Sequence, residues 1–81
     1  MPWLKGALWG GALGVIAAAL LAGGMAAWDW AENPGGIFRT PSGTHWGFVR
    51  DTFLSWFGPT APSFALTGAA VALARLWWRA R

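Results

Sequence analysis

The chain has no cysteine, one histidine and three carboxylates (Asp29, Glu32 and Asp51) among 81 residues. Without cysteine there is no disulfide framework, no thiolate metal site, no iron–sulfur cluster and no covalent haem attachment. One imidazole, His45, argues against an all-protein zinc site, which takes three or four ligands. Charge is scarce as well. Only 11% of residues are charged, against about 25% in an ordinary soluble domain. No carboxylate is paired in sequence with a nucleophile or base, so general acid–base chemistry has no visible machinery and the chain reads as non-catalytic.

Apolar residues take the place of charge. They make up 56% of the chain, which also holds eight tryptophans and twelve glycines, and the mean hydropathy is +0.41. A soluble domain of this size buries only about 60% of the surface its unfolded chain exposes. That is too little to hide so much apolar area, and the same hydrophobicity excludes disorder. The composition points to a lipid bilayer as the solvent. The net charge of +3 does not imply nucleic acid, because the cations flank apolar runs instead of forming a basic patch. An excess of Arg over Lys, with abundant Ala, Gly, Pro and Trp, suggests a GC-rich bacterial genome.

The expected fold is an all-α membrane protein. One unit, residues 1–81, forms a hairpin of two transmembrane helices with a short interfacial amphipathic helix in the connecting loop. Residues 6–28 carry no charge over 23 positions. As a helix they reach roughly 34 Å, enough to cross a ~30 Å hydrocarbon core with some tilt. The first span is therefore set at about 4–28. The same segment resembles a secretory signal, with Lys5 before it and Gly24-Met25-Ala26 as a cleavage site, but it is long for a signal core of roughly 7–15 residues. Residues 29–43, with Asn33-Pro34-Gly35-Gly36 and Pro41, read as a loop. Residues 44–57 gather Trp46, Val49, Phe53, Trp56 and Phe57 on one helical face, as a helix lying in the interface plane does. Thr44 or Ser42 is expected to cap it, and Gly58-Pro59 to end it. The second span is set at about 60–78. Its rival is one helix from Thr52 to Ala74 with kinks at Pro59 and Pro62.

Tryptophan and charge give the layout across the bilayer. Trp3, Trp77 and Trp78 are expected at one interface and Trp28, Trp30, Trp46 and Trp56 at the other, as in an aromatic belt. Lys5, Arg75, Arg79 and Arg81 lie near the chain ends, whereas the connecting segment holds Arg39 and Arg50. The positive-inside rule then puts both termini in the cytoplasm and the loop in the periplasm of a bacterial inner membrane. The same four end cations are expected to anchor the topology and meet anionic lipid headgroups.

Gly6, Gly10, Gly14 and Ala18, continued by Ala22 and Ala26, form a small-xxx-small stripe on the first span. Ala61, Ala65 and Ala69 form another on the second. Such stripes let helix backbones approach closely in lipid. The partner is either the other span or a foreign subunit. The length and glycine content superficially resemble the ring-forming c subunit of rotary ATP synthases. That family needs a carboxylate in mid-membrane, and residues 60–74 have none, so the resemblance fails. His45 is a candidate axial ligand for a pigment or haem. Its place in the loop, outside either span, favours an ordinary surface histidine.

These observations lead to an expected function as a small accessory subunit of a larger energy-converting complex. A photosynthetic reaction centre–light-harvesting assembly comes first, because tryptophan-rich hairpins suit pigment and quinone surroundings, and a respiratory-chain complex comes second. That preference is an analogy at the level of fold. The expected partners are subunits of that complex and the lipid bilayer. No motif binds a cofactor, and only peripheral contact with bacteriochlorophyll, carotenoid, quinone or lipid is expected. The alternatives are a self-associating holin-like pore and a small membrane regulatory or assembly factor.

Overall fold

The computed structural model describes residues 1–80. The expected anchor Arg81 lies outside them. Two long helices dominate: α1 over Pro2–Glu32 and α2 over Trp46–Ala80, packed against each other as an antiparallel pair. A 3₁₀ turn (Pro34–Gly36) and a minimal hairpin of β1 (Arg39–Thr40) with β2 (Gly43–Thr44) join them. The pair is a rod, with extents of 60 × 17 × 15 Å.

Pro2 starts α1 at a position where its missing N–H costs nothing. Residues 29–32, expected in the loop, continue the helix, because the turn signal begins only at Asn33; the helix ends there, with Asn33 in the left-handed conformation (φ 50°, ψ 57°) and its N–H donated to the Asp29 carbonyl at 2.7 Å. After glycine, asparagine is the residue that best tolerates this conformation at a helix C-terminus. The Asn33 side chain then folds the loop. Its Oδ1 accepts the N–H groups of Phe38 (2.9 Å) and Arg39 (3.0 Å), and its Nδ2 donates to the Arg39 carbonyl (2.8 Å). Arg39 reaches back to the end of α1, donating from Nε to the Trp30 carbonyl (3.1 Å) and from Nη2 to the Ala31 carbonyl (3.0 Å). A cation there satisfies orphan carbonyls and complements the negative end of the helix dipole. Phe38 is buried beneath the loop.

The expected interfacial helix over 44–57 is not seen as a separate element, nor is a second span that begins at 60. One helix runs from Trp46 to Ala80 through both Pro59 and Pro62. Counting hydrogen bonds explains why. A break at Gly58-Pro59 would leave up to four carbonyls and four amides without helical partners. Continuing through two prolines deprives only two carbonyls, those of Ser55 and Gly58, of their usual donors. Hydroxyls around the prolines donate to neighbouring carbonyls: Thr60 Oγ1 to Trp56 at 2.5 Å and Ser63 Oγ to Pro59 at 3.1 Å. The start of α2 also differs from expectation. His45, and not Thr44 or Ser42, stands at the cap: its Nδ1 accepts the Phe48 N–H at 3.4 Å, and its carbonyl accepts the same N–H at 3.1 Å.

The aromatic face of 44–57 divides: Trp46 and Trp56 are exposed, and the remainder forms the inner face of the pair. Val49, Phe53 and Phe57 are half-buried against α1, and Phe53 stacks on Phe57 with ring centroids 5.3 Å apart. Their row continues along α2 through Thr60, Phe64, Gly68, Ala72 and Leu76, all half-buried.

Candidate functional site

The closest approach of the two helices lies on the glycine stripe. Gly10 faces Gly68 and Ala72. A Cβ built on Gly10 would fall inside contact distance of the Gly68 carbonyl oxygen and 2.8 Å from the Ala72 Cβ. Gly14 faces the Phe64 carbonyl in the same way, and Gly6 faces Leu76, whose Cδ1 would lie 2.6 Å from an added Cβ. Gly68 in turn admits only a hydrogen against the Gly10 carbonyl. Ala18, Ala22 and Ala26 extend the row and are buried. On α2, Ala61, Ala65 and Ala69 are half-buried one row aside, and Ala65 touches the positions of Gly11 and Gly14 through its backbone. The sequence reading overlooked Gly68 and Ala72. Their signal was the four-residue spacing Phe64, Gly68, Ala72, Leu76.

This register has a consequence for charge. With Gly6 opposite Leu76, Gly10 opposite Gly68 and Ala72, and Gly14 opposite Phe64, the antiparallel geometry brings Lys5 level with Arg75 and Asp29 level with Asp51. The charge-free segments 6–28 and 52–74, each of 23 residues, therefore lie side by side over the same ~34 Å of the rod. One end carries Lys5, Arg75 and Arg79. The other carries Asp29, Glu32, Arg39, Arg50 and Asp51.

The outer surface of that slab is apolar. Leu8, Trp9, Leu13, Ile16 and Leu20 of α1 and Leu54, Leu66 and Val71 of α2 are exposed. Both helices are long and apolar enough to cross a membrane. Four of the five hydroxyls on α2 donate to its own backbone. Ser55 donates to the Thr52 carbonyl (2.7 Å) and Thr67 to the Ser63 carbonyl (2.8 Å), as Thr60 and Ser63 do nearby.

Near the loop the helices leave an apolar groove of about 880 Å³. Gly23, Ala27 and Trp30 wall it on one side and Trp46, Val49 and Phe53 on the other, with Arg50 at its edge. Trp30 Nε1 donates to Thr44 Oγ1 at 2.9 Å, and the Arg39 guanidinium sits 5.3 Å from the Trp30 ring centroid. Trp30 is thus tied into the loop, whereas Trp46 is 72% exposed. Trp28 and Trp56 are exposed at this end, and Trp3, Trp77 and Trp78 at the other.

His45 stacks beside Phe48, with ring centroids 4.3 Å apart, and spends Nδ1 on capping α2. Asp51 pairs with its neighbour Arg50 at 3.3 Å, both well exposed, a contact worth little in water. Among the described residues there is no group of three or more His, Cys, Asp or Glu side chains that could hold a metal ion. No protein-family model, curated protein or solved structure matches the chain.

Proposed function

We propose that this chain is a two-span hairpin of a bacterial inner membrane, with both termini in the cytoplasm. It acts there as a non-catalytic accessory subunit that packs its apolar outer faces against a larger membrane complex. The observation that carries the reading is the alignment of two charge-free 23-residue segments across a glycine seam, with large apolar side chains turned outward. Soluble monomers rarely expose a contiguous apolar patch of more than a few hundred Å². Here such side chains encircle the rod, and lipid or protein must cover them.

The seam bears on which surface meets the partner. Gly6, Gly10, Gly14 and Gly68 are consumed inside the hairpin, so a foreign subunit meets the leucine- and tryptophan-bearing outer faces. The groove near the loop, with its aromatic walls, is where peripheral contact with a quinone, a pigment or a lipid tail belongs. An energy-converting complex is the preferred host, photosynthetic before respiratory. Two of the side chains capable of acid–base chemistry have structural uses: His45 caps α2 and Asp51 pairs with Arg50.

A pore is the competing reading. Water crosses a membrane only where polar groups replace lipid, and the hydroxyls of Ser63 and Thr67 already bond within α2. The test is reconstitution of the chain alone in liposomes loaded with dye, run beside mild-detergent capture from its native membrane through a tag. Retained dye together with stoichiometric co-purification of larger membrane subunits supports the accessory role. Dye release rising steeply with protein density, with no co-purifying subunit, overturns it in favour of a holin-like pore.

A further inference from the structure

We infer that Arg75 and Arg79 form a specific binding site for the phosphodiester of an anionic phospholipid at the cytoplasmic face, with Val71, Ala74 and Trp78 as the seat for its proximal acyl chain. The inference rests on the membrane hairpin proposed above and adds a ligand to it. The two arginines are four residues apart on α2, so their side chains leave the same helical face, with Cβ atoms about 5–6 Å apart. Together with Val71, Ala74 and Trp78 they border one surface crevice of about 390 Å³. Its lining changes character along the helix axis. Val71 and Ala74 lie within the charge-free slab, Arg75 at its rim, and Trp78 and Arg79 beyond it. An amphipathic ligand with its charge outside the slab and its chain inside has the same gradient.

Charge complementarity selects the headgroup. Among the described residues neither Arg75 nor Arg79 has an ion pair or hydrogen bond, and Asp29, Glu32 and Asp51 all lie at the opposite end of the rod. The C-terminus of α2 opposes an anion with roughly half a unit of negative charge. Two guanidiniums carry two units of positive charge, and each offers a planar fork that matches phosphate oxygens. Lys5 is level with Arg75 but on the other helix and outside this crevice. It therefore serves as an internal control for a merely cationic surface.

The test uses the full chain in nanodiscs of phosphatidylcholine, into which phosphatidylglycerol is titrated and retained lipid is counted by native mass spectrometry. Wild type should retain phosphatidylglycerol in preference to phosphatidylcholine. Arg75→Gln and Arg79→Gln should each lower that preference by about fivefold, the size expected for one basic residue at a lipid surface, and Lys5→Gln by less than about twofold. Inorganic phosphate at millimolar concentration should not displace the lipid. Equal losses in all three variants would reduce the site to a diffuse cationic end, and displacement by phosphate would reassign it to a free anion; either overturns the proposal. Failure of the chain to enter the nanodisc would refute the hairpin reading itself, an outcome distinct from insertion without lipid preference.

Discussion

Gly10→Ala is the smallest change that opposes the packing of the two helices. The added Cβ would stand 2.8 Å from the Ala72 Cβ and closer still to the Gly68 carbonyl, whereas carbon atoms rest at about 3.5–4.0 Å. The helices must part by roughly 1 Å, because the obstructing atoms are backbone or a methyl group with no rotamer to move. A gap of 0.5–1 Å forfeits a quarter to a half of each ~0.1–0.2 kcal/mol contact, so with on the order of 30 such contacts along the seam the loss is about 2 kcal/mol. That falls within the range of ~1–3 kcal/mol for overpacking, and the helix propensity gained by Ala over Gly, up to ~1 kcal/mol, offsets part of it and leaves a net cost of about 1 kcal/mol. Gly68→Ala should cost a similar amount. The double variant should cost far less than the sum, since helices already parted by one methyl group accommodate the second. Gly24→Ala, whose Cβ position meets nothing within 4 Å, should be neutral or gain up to ~1 kcal/mol of helix propensity. Equilibrium unfolding in bicelles, read by energy transfer between dyes at the two helix ends, gives these values. A Gly10→Ala cost under ~0.5 kcal/mol, or strict additivity with Gly68→Ala, would refute the seam.

The loop and the proline segment give further outcomes. Asn33→Ala removes three side-chain hydrogen bonds and the left-handed cap, so amide exchange at Phe38 and Arg39 should accelerate by at least tenfold; Asn33→Gly, which keeps only the backbone conformation, should not restore protection. Arg39→Gln should speed exchange at the end of α1 by severalfold, because one charged donor to the Trp30 and Ala31 carbonyls is lost; unchanged exchange would remove it as a cap. Pro59→Ala restores a donor to the Ser55 carbonyl and should stabilise the hairpin by ~1–3 kcal/mol while leaving helix content intact. A fall in helicity would mean that the proline shapes a break in α2.

The two helices were legible because their signals are local: Lys5 and Asp29 bound one charge-free run, although α1 outruns the expected 4–28 at both ends, from Pro2 to Glu32. The glycine stripe was legible from its spacing alone. What misled was Gly58-Pro59, which ends a helix where water can take over the freed backbone groups but is crossed where a neighbouring helix packs alongside. The continuous row Val49, Phe53, Phe57, Phe64, Gly68, Ala72 and Leu76 held the correction, since a separate interfacial helix has no reason to stay in phase with the span that follows. The roles of Arg39 and His45 were out of reach. Each depends on where the folded loop places a side chain, which no spacing records.

A hairpin that spans the membrane holds its charge-free slab inside the bilayer. Single cysteines at Ser42, Leu66 and Ala80, tested with a membrane-impermeant maleimide in intact cells and again after lysis, measure it. Ser42→Cys should label in intact cells, Ala80→Cys only after lysis, and Leu66→Cys should resist the reagent in both until detergent is added. Labelling of Leu66→Cys in intact membranes, or labelling of Ser42→Cys and Ala80→Cys from the same side, would contradict a hairpin that spans the membrane.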